Sequence, residues 1–151
     1  MSRFVMGWGI RILIVAVIGG GAFIFRDRLT GNAGELKVGD CFDSPAVATE
    51  IKDVQHHPCT EAHNAEVVFV GNMTGADDAY PGDPLVESWV RANCVPAWST
   101  YTGKNFETDT QLDIGFYLPT TDGWTHGDRG ITCYADRVDR ASMTSSVKLA
   151  N

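Results

Sequence analysis

Positive charge is scarce beyond the first thirty residues. Residues 31–151 hold eight Lys and Arg against eighteen Asp and Glu, a net of −10, and the 151-residue chain as a whole carries −7. Phosphate backbones reward clustered basic side chains, so this balance argues against nucleic acid as a partner and against a domain lying flat on anionic lipid. Catalytic signatures are missing too. There is no GxSxG elbow to present a serine and no glycine-rich loop to cradle phosphates. HExxH and CxxC are absent, which removes the commonest zinc spacings. No internal repeat or low-complexity tract is visible, so the chain has room for one fold and little else.

The stretch from Leu36 to Val70 concentrates what chemistry there is, with two cysteines, three histidines and two apolar runs. The four cysteines of the chain, Cys41, Cys59, Cys94 and Cys133, all follow the first thirty residues. An even count at wide spacing predicts two disulfides and an oxidising compartment. Three pairings are open. The simplest joins Cys41 to Cys59 and Cys94 to Cys133, closing separate loops.

Met6 to Phe25 reads as twenty apolar residues with one charge, Arg11. As a helix it spans roughly 30 Å, about one hydrocarbon core. Arg11 lies in the first turns, where its stem reaches the headgroups; the alternative is a pair with an acid of a partner membrane protein. The stretch also fits a secretory signal, but no small-x-small site follows before Arg26-Asp27-Arg28, so it is read as uncleaved. Ala16 and Gly20 stand four apart, a spacing that allows close helix packing. Basic residues are balanced on the two flanks, so orientation rests on the cysteines: a short inside N-terminus and a C-terminal domain outside. The expected organisation is therefore a single N-terminal transmembrane helix in residues 1–29, a linker at 30–35, and a disulfide-stapled extracytoplasmic domain at 36–151, placed at the cell membrane as a single-pass protein.

Within that domain, Gly39-Asp40 reads as a turn delivering Cys41 and Phe42 to the core. Strands are expected over Ala46 to Val54, Glu66 to Val70, Gln111 to Leu118 and Ile131 to Tyr134, with a short last one at Ser146 to Leu149. Asp83-Pro84 starts the clearest soluble helix, with Leu85, Val86, Trp89, Val90 and Cys94 on its inner face. Strands with one or two helices make an α+β domain.

Three clusters compete as sites. His56, His57, Cys59, His63 and Glu66 carry zinc-type donors, but in poor spacing and with Cys59 expected in a disulfide; His63 is read instead as part of a network with backbone groups or Glu66, and no metal or cofactor is expected. Asp77, Asp78 and Asp83 offer oxygen ligands without the periodicity of a calcium loop. Trp124, His126, Asp128 and Arg129, around Gly127, read as a well-fastened turn before Cys133, or more sharply, together with His63, as a binding surface shared with the loop acids and Trp98 or Tyr101.

The run Gly39-Asp40-Cys41-Phe42 after Leu36 and Val38 is followed by Val54, Cys59, His63, Glu66 and Val67, then Trp89 and Cys94, then Pro119, Trp124, Gly127-Asp128-Arg129 and Cys133. Over residues 36 to 134 this outline resembles the septum formation-related domain of actinobacterial membrane and secreted proteins. The resemblance implies a small module on the outer face of the cytoplasmic membrane, with a link to cell division or envelope assembly, and brings no catalytic residues. The expectation is a non-enzymatic envelope protein whose outside domain binds another envelope or membrane protein. Its alternative is an accessory subunit of a larger membrane complex or homo-oligomer, held through Arg11, Ala16 and Gly20. A cell-wall ligand-binding module or enzyme is a third class.

Overall fold

The computed structural model describes residues 30–45, 53–74 and 79–150. The expected membrane helix with Arg11, Ala16 and Gly20 lies outside the described residues, as do Asp77, Asp78 and the first part of the strand expected over Ala46 to Val54. No helix among the described residues is long and apolar enough to cross a membrane.

Among the described residues, six strands form one antiparallel sheet: β1 (Thr30–Asn32), β2 (Cys41–Asp43), β3 (Asp53–His57), β4 (Ala65–Asn72), β5 (Leu112–Tyr117) and β6 (Gly130–Arg137). Their order is β1-β3-β2-β4-β6-β5. A 20-residue helix α1 (Asp83–Thr102) and a short helix α2 (Thr121–Thr125) complete an α+β domain. The chain enters the sheet at the β1 edge, and β5 forms the opposite edge.

β6 is buried along six consecutive residues, Ile131 to Asp136, because both faces of the sheet are covered there. Its odd-numbered side chains, Ile131, Cys133 and Ala135, join Val86, Trp89, Val90, Cys94 and Trp98 of α1 in the larger core. The even-numbered Tyr134 faces the other way and packs with Phe42, Val54, Ala65, Val67 and Leu36. Its ring meets Phe42 edge-on at 5.4 Å and Tyr117 at 5.0 Å. Tyr134 also fixes the residue opposite it: a Cβ at Gly115 would lie 2.3 Å from its ring, so β5 needs a glycine at that register.

The helix opens at Asp83-Pro84, where its sequence signals placed it. Gly82 is the N-cap and makes no side-chain capping bond, so Asp83 sits inside the first turn, where a carboxylate still favours the helix dipole. Leu85, expected inward, is 40 % exposed. The helix closes at Gly103, whose left-handed φ of 70° lets its N–H return to Ser99 O at 3.0 Å.

The C-terminal segment is not the strand expected at Ser146 to Leu149. It is an irregular, bent tail, tied at one end by reciprocal backbone bonds between His63 and Met143 and at the other by Leu149 N–H donating to Tyr101 O. Disulfides form between Cys41 and Cys59 and between Cys94 and Cys133, with Cα separations of 5.3 and 6.1 Å. The second clamps α1 to β6 through the middle of the core.

Candidate functional site

The turn carrying Trp124, His126, Asp128 and Arg129 is built from the inside. Thr120 caps α2 by accepting from Gly123 N–H, and Trp124 on that helix is 1 % exposed. The Arg129 guanidinium lies 4.0 Å from the Trp124 ring centroid and donates to the Trp124 and Asp128 carbonyls at 2.7 and 2.9 Å. Trp124 therefore presents no ring face for a partner to cover, which corrects its place in the sharper reading. Trp98 is wholly buried and leaves that surface too. His126 and Asp128 stay exposed: His126 Nδ1 contacts Asp122 O, and Asp128 accepts from Gly130 N–H.

His63 is also wholly buried, so it too leaves the expected binding surface. Its Nδ1 meets Glu61 O at 2.8 Å, so the expected backbone network exists, but Glu66 belongs to a different one. Glu66, on β4, accepts from Tyr101 Oη and Ser146 Oγ at 2.6 Å each and from Val147 N–H at 2.7 Å. Its carboxylate fastens helix, sheet and tail to one another. Burial, reinforced by the bond to Glu66, pushes the Tyr101 hydroxyl well above the ordinary phenol range.

The candidate metal donors are dispersed. Cys59 is bonded to Cys41, and His57 Nε2 pairs with Asp43 at 2.8 Å. Cys41, Cys59 and Glu66 approach one another, but with the sulfurs joined they offer no thiolate.

On the face away from α1, Asp113 and Asp136 stand opposite each other across the β5–β6 ladder, and Asp136 pairs with Arg140. Burial raises the Asp136 pKa, Arg140 works against that, and Asp113 adds to the rise.

The surface feature that the sequence did not single out is a groove of about 530 Å³ between α1 and β5. Val86 and Val90 line it from the helix, Ile114 and Phe116 from the strand, with Leu118 and Tyr80 beyond. It exists because α1 covers β5 only partly: Leu112 is buried, Ile114 half-buried, and Phe116, on the same face, 39 % exposed. Asp83, Glu87 and Arg91 add charge, and Arg91 is engaged by Glu87 and Glu107. Tyr80 connects the groove to the Trp124 turn. Its ring packs edge-on against Trp124 at 5.6 Å, and its hydroxyl donates to Pro119 O at 3.0 Å. The Arg129–Trp124 stack thus supports one wall of the groove from behind. The alternation of Leu112, Ile114, Phe116 and Leu118 was the available signal, but it does not reveal where the covering helix stops.

A disulfide-stapled sheet of this order, with one long helix on one face, defines a small extracytoplasmic-type α+β module. Residues 38–150 match the septum formation family, and the chain belongs to it. No curated protein and no solved structure matches the chain.

Proposed function

We propose that this is a non-enzymatic envelope protein, held at the cell membrane by the apolar stretch Met6 to Phe25, whose outside domain binds another envelope or membrane protein in septum formation. The observation that carries this reading is the α1–β5 groove, an open apolar surface beside a sheet edge. Exposed apolar patches with a polar rim mark protein contact sites or ligand-binding grooves. The titratable groups near it fit that role better than catalysis: Glu87 and Arg91 engage each other at the rim.

The test is purification of the full-length protein from its native membrane in mild detergent, with stoichiometric co-purifying proteins identified. The Arg11→Ala variant is run in parallel. The reading predicts a stoichiometric partner that survives in Arg11→Ala. Loss of the partner in that variant would place the contact in the membrane segment instead, and a protein that always purifies alone would defeat the reading.

A further inference from the structure

β5 is an edge strand with one backbone side unpaired by any described strand. Which residues face outward follows from two side-chain bonds. Leu112 N–H donates to Asp109 and Ile114 N–H to Asp113, so neither points to β6. Alternation along the strand then turns the backbone groups of Phe116 outward as well. The side chains of Ile114 and Phe116 line the groove beside that same edge. Hydrogen-bonding groups and apolar pockets therefore run side by side.

The charge at this edge has one predominant sign. Asp113 lies on the strand's other face, Asp83 and Glu87 on the groove wall, and Glu107 beside Arg91, the one cation among the described residues lining the groove. Asp109 and Asp113 occupy the first two outward amides, which blunts the edge against indiscriminate pairing. Phe116 is beyond them. The β5 edge also lies five strand spacings from β1, roughly 24 Å, where the chain leaves the apolar N-terminal stretch.

We propose that the β5 edge and the α1–β5 groove bind an extended segment of a partner protein as a seventh strand. Its alternate apolar side chains enter the groove, and a Lys or Arg meets the acids at the rim. Main-chain bonds begin at Phe116, and those acids select a basic segment over an acidic one. This rests on the binding-module reading and names the partner class for the same site.

The probe is a nine-residue peptide of alternating valine and threonine with lysine at both ends, beside a twin with glutamate ends. Each is titrated by fluorescence anisotropy against the full-length protein in nanodiscs of zwitterionic lipid, and amide exchange is followed on the complex. The expected result is saturable binding of the lysine peptide, at least tenfold weaker binding of the glutamate twin, and new protection at the Phe116 amide. Phe116→Asp should weaken binding at least tenfold. Phe116 is partly exposed, so the variant should keep its melting temperature, and Phe116→Thr provides a second, milder variant.

Binding by neither peptide, or binding that both Phe116 variants leave unchanged, overturns the proposal. So does concentration-dependent dimerisation that protects Phe116 without peptide, which would make a second copy the occupant. The two readings separate in the membrane purification. A partner retained by Phe116→Asp keeps the binding module and removes this site, whereas no partner in either protein removes the module.

Discussion

Replacing Glu66 should detach the C-terminal tail before it unfolds the sheet. The side chain is wholly buried and accepts three hydrogen bonds, two from side chains and one from the Val147 backbone. A hydrogen bond to a charged group contributes about 1.5–3 kcal/mol net. Tyr101→Phe removes one such bond and should cost about 2 kcal/mol. Glu66→Ala removes all three hydrogen bonds and leaves a cavity at β4. Ser146 is exposed, however, and its hydroxyl is hydrated once the tail lifts, so the total should be about 3–5 kcal/mol, less than three full bonds. Glu66→Gln keeps the shape but turns an amide NH₂ toward donors, and should fall between the two.

The assay is native-state hydrogen exchange at Val147 and Leu149, whose N–H groups bond to Glu66 and Tyr101, compared with β6. Urea denaturation followed by tryptophan fluorescence gives the global value. Protection at the two tail amides should drop further than protection in β6. A Glu66→Ala protein that loses less than about 1 kcal/mol, or whose tail stays as protected as β6, would refute the fastening role.

Removing Cys94–Cys133, which closes a 39-residue separation, should cost about 4 kcal/mol, and removing Cys41–Cys59, across 18 residues, about 3 kcal/mol; paired Cys→Ser variants in urea measure both. Gly115→Ala forces a methyl into the Tyr134 ring and should lower stability by about 1–3 kcal/mol, with near-UV circular dichroism reporting the displaced tyrosine. Burial opposes ionisation of Asp109, but the Leu112 and Gln111 N–H groups and Lys104 outweigh it and hold its pKa below the ordinary carboxylate range. Its contribution is thus present above about pH 4 and lost as pH falls through the lowered value, so Asp109→Asn should show a shallower stability decline there than wild type, measured by melting temperature against pH.

Much of the sheet was legible because its strands carry local signals. Glu66 to Val70 and Ile131 to Tyr134 are β-branched and aromatic, and the strands form around them as Ala65–Asn72 and Gly130–Arg137. The cysteine spacing held the correct pairing among three open ones, and the structure decides it. The tail was misread because Ser146 to Leu149 looks like a strand locally. Its bonds go to Glu66 and Tyr101, far away in sequence. Trp124 and Arg129 were noticed for their chemistry, but composition does not say whether an aromatic residue faces out or in. The groove was hidden for a related reason, since Phe116 alternates like a core residue and only the partial cover given by α1 leaves it exposed.

The Cys94–Cys133 bond has a mechanical corollary. Strand β5, helix α2 and the turn at Arg129 all lie inside the covalent loop it closes. Tension applied to β5 is shared at once between α1 and β6, because both ends of the loop are riveted to the core. If β5 were peeled away, the slack released could not exceed the contour of the loop, roughly 130 Å. A single protease cut within the loop would leave two fragments still joined as one molecule. The strand that lines the groove is thus also one that can be pulled or nicked without parting from the domain.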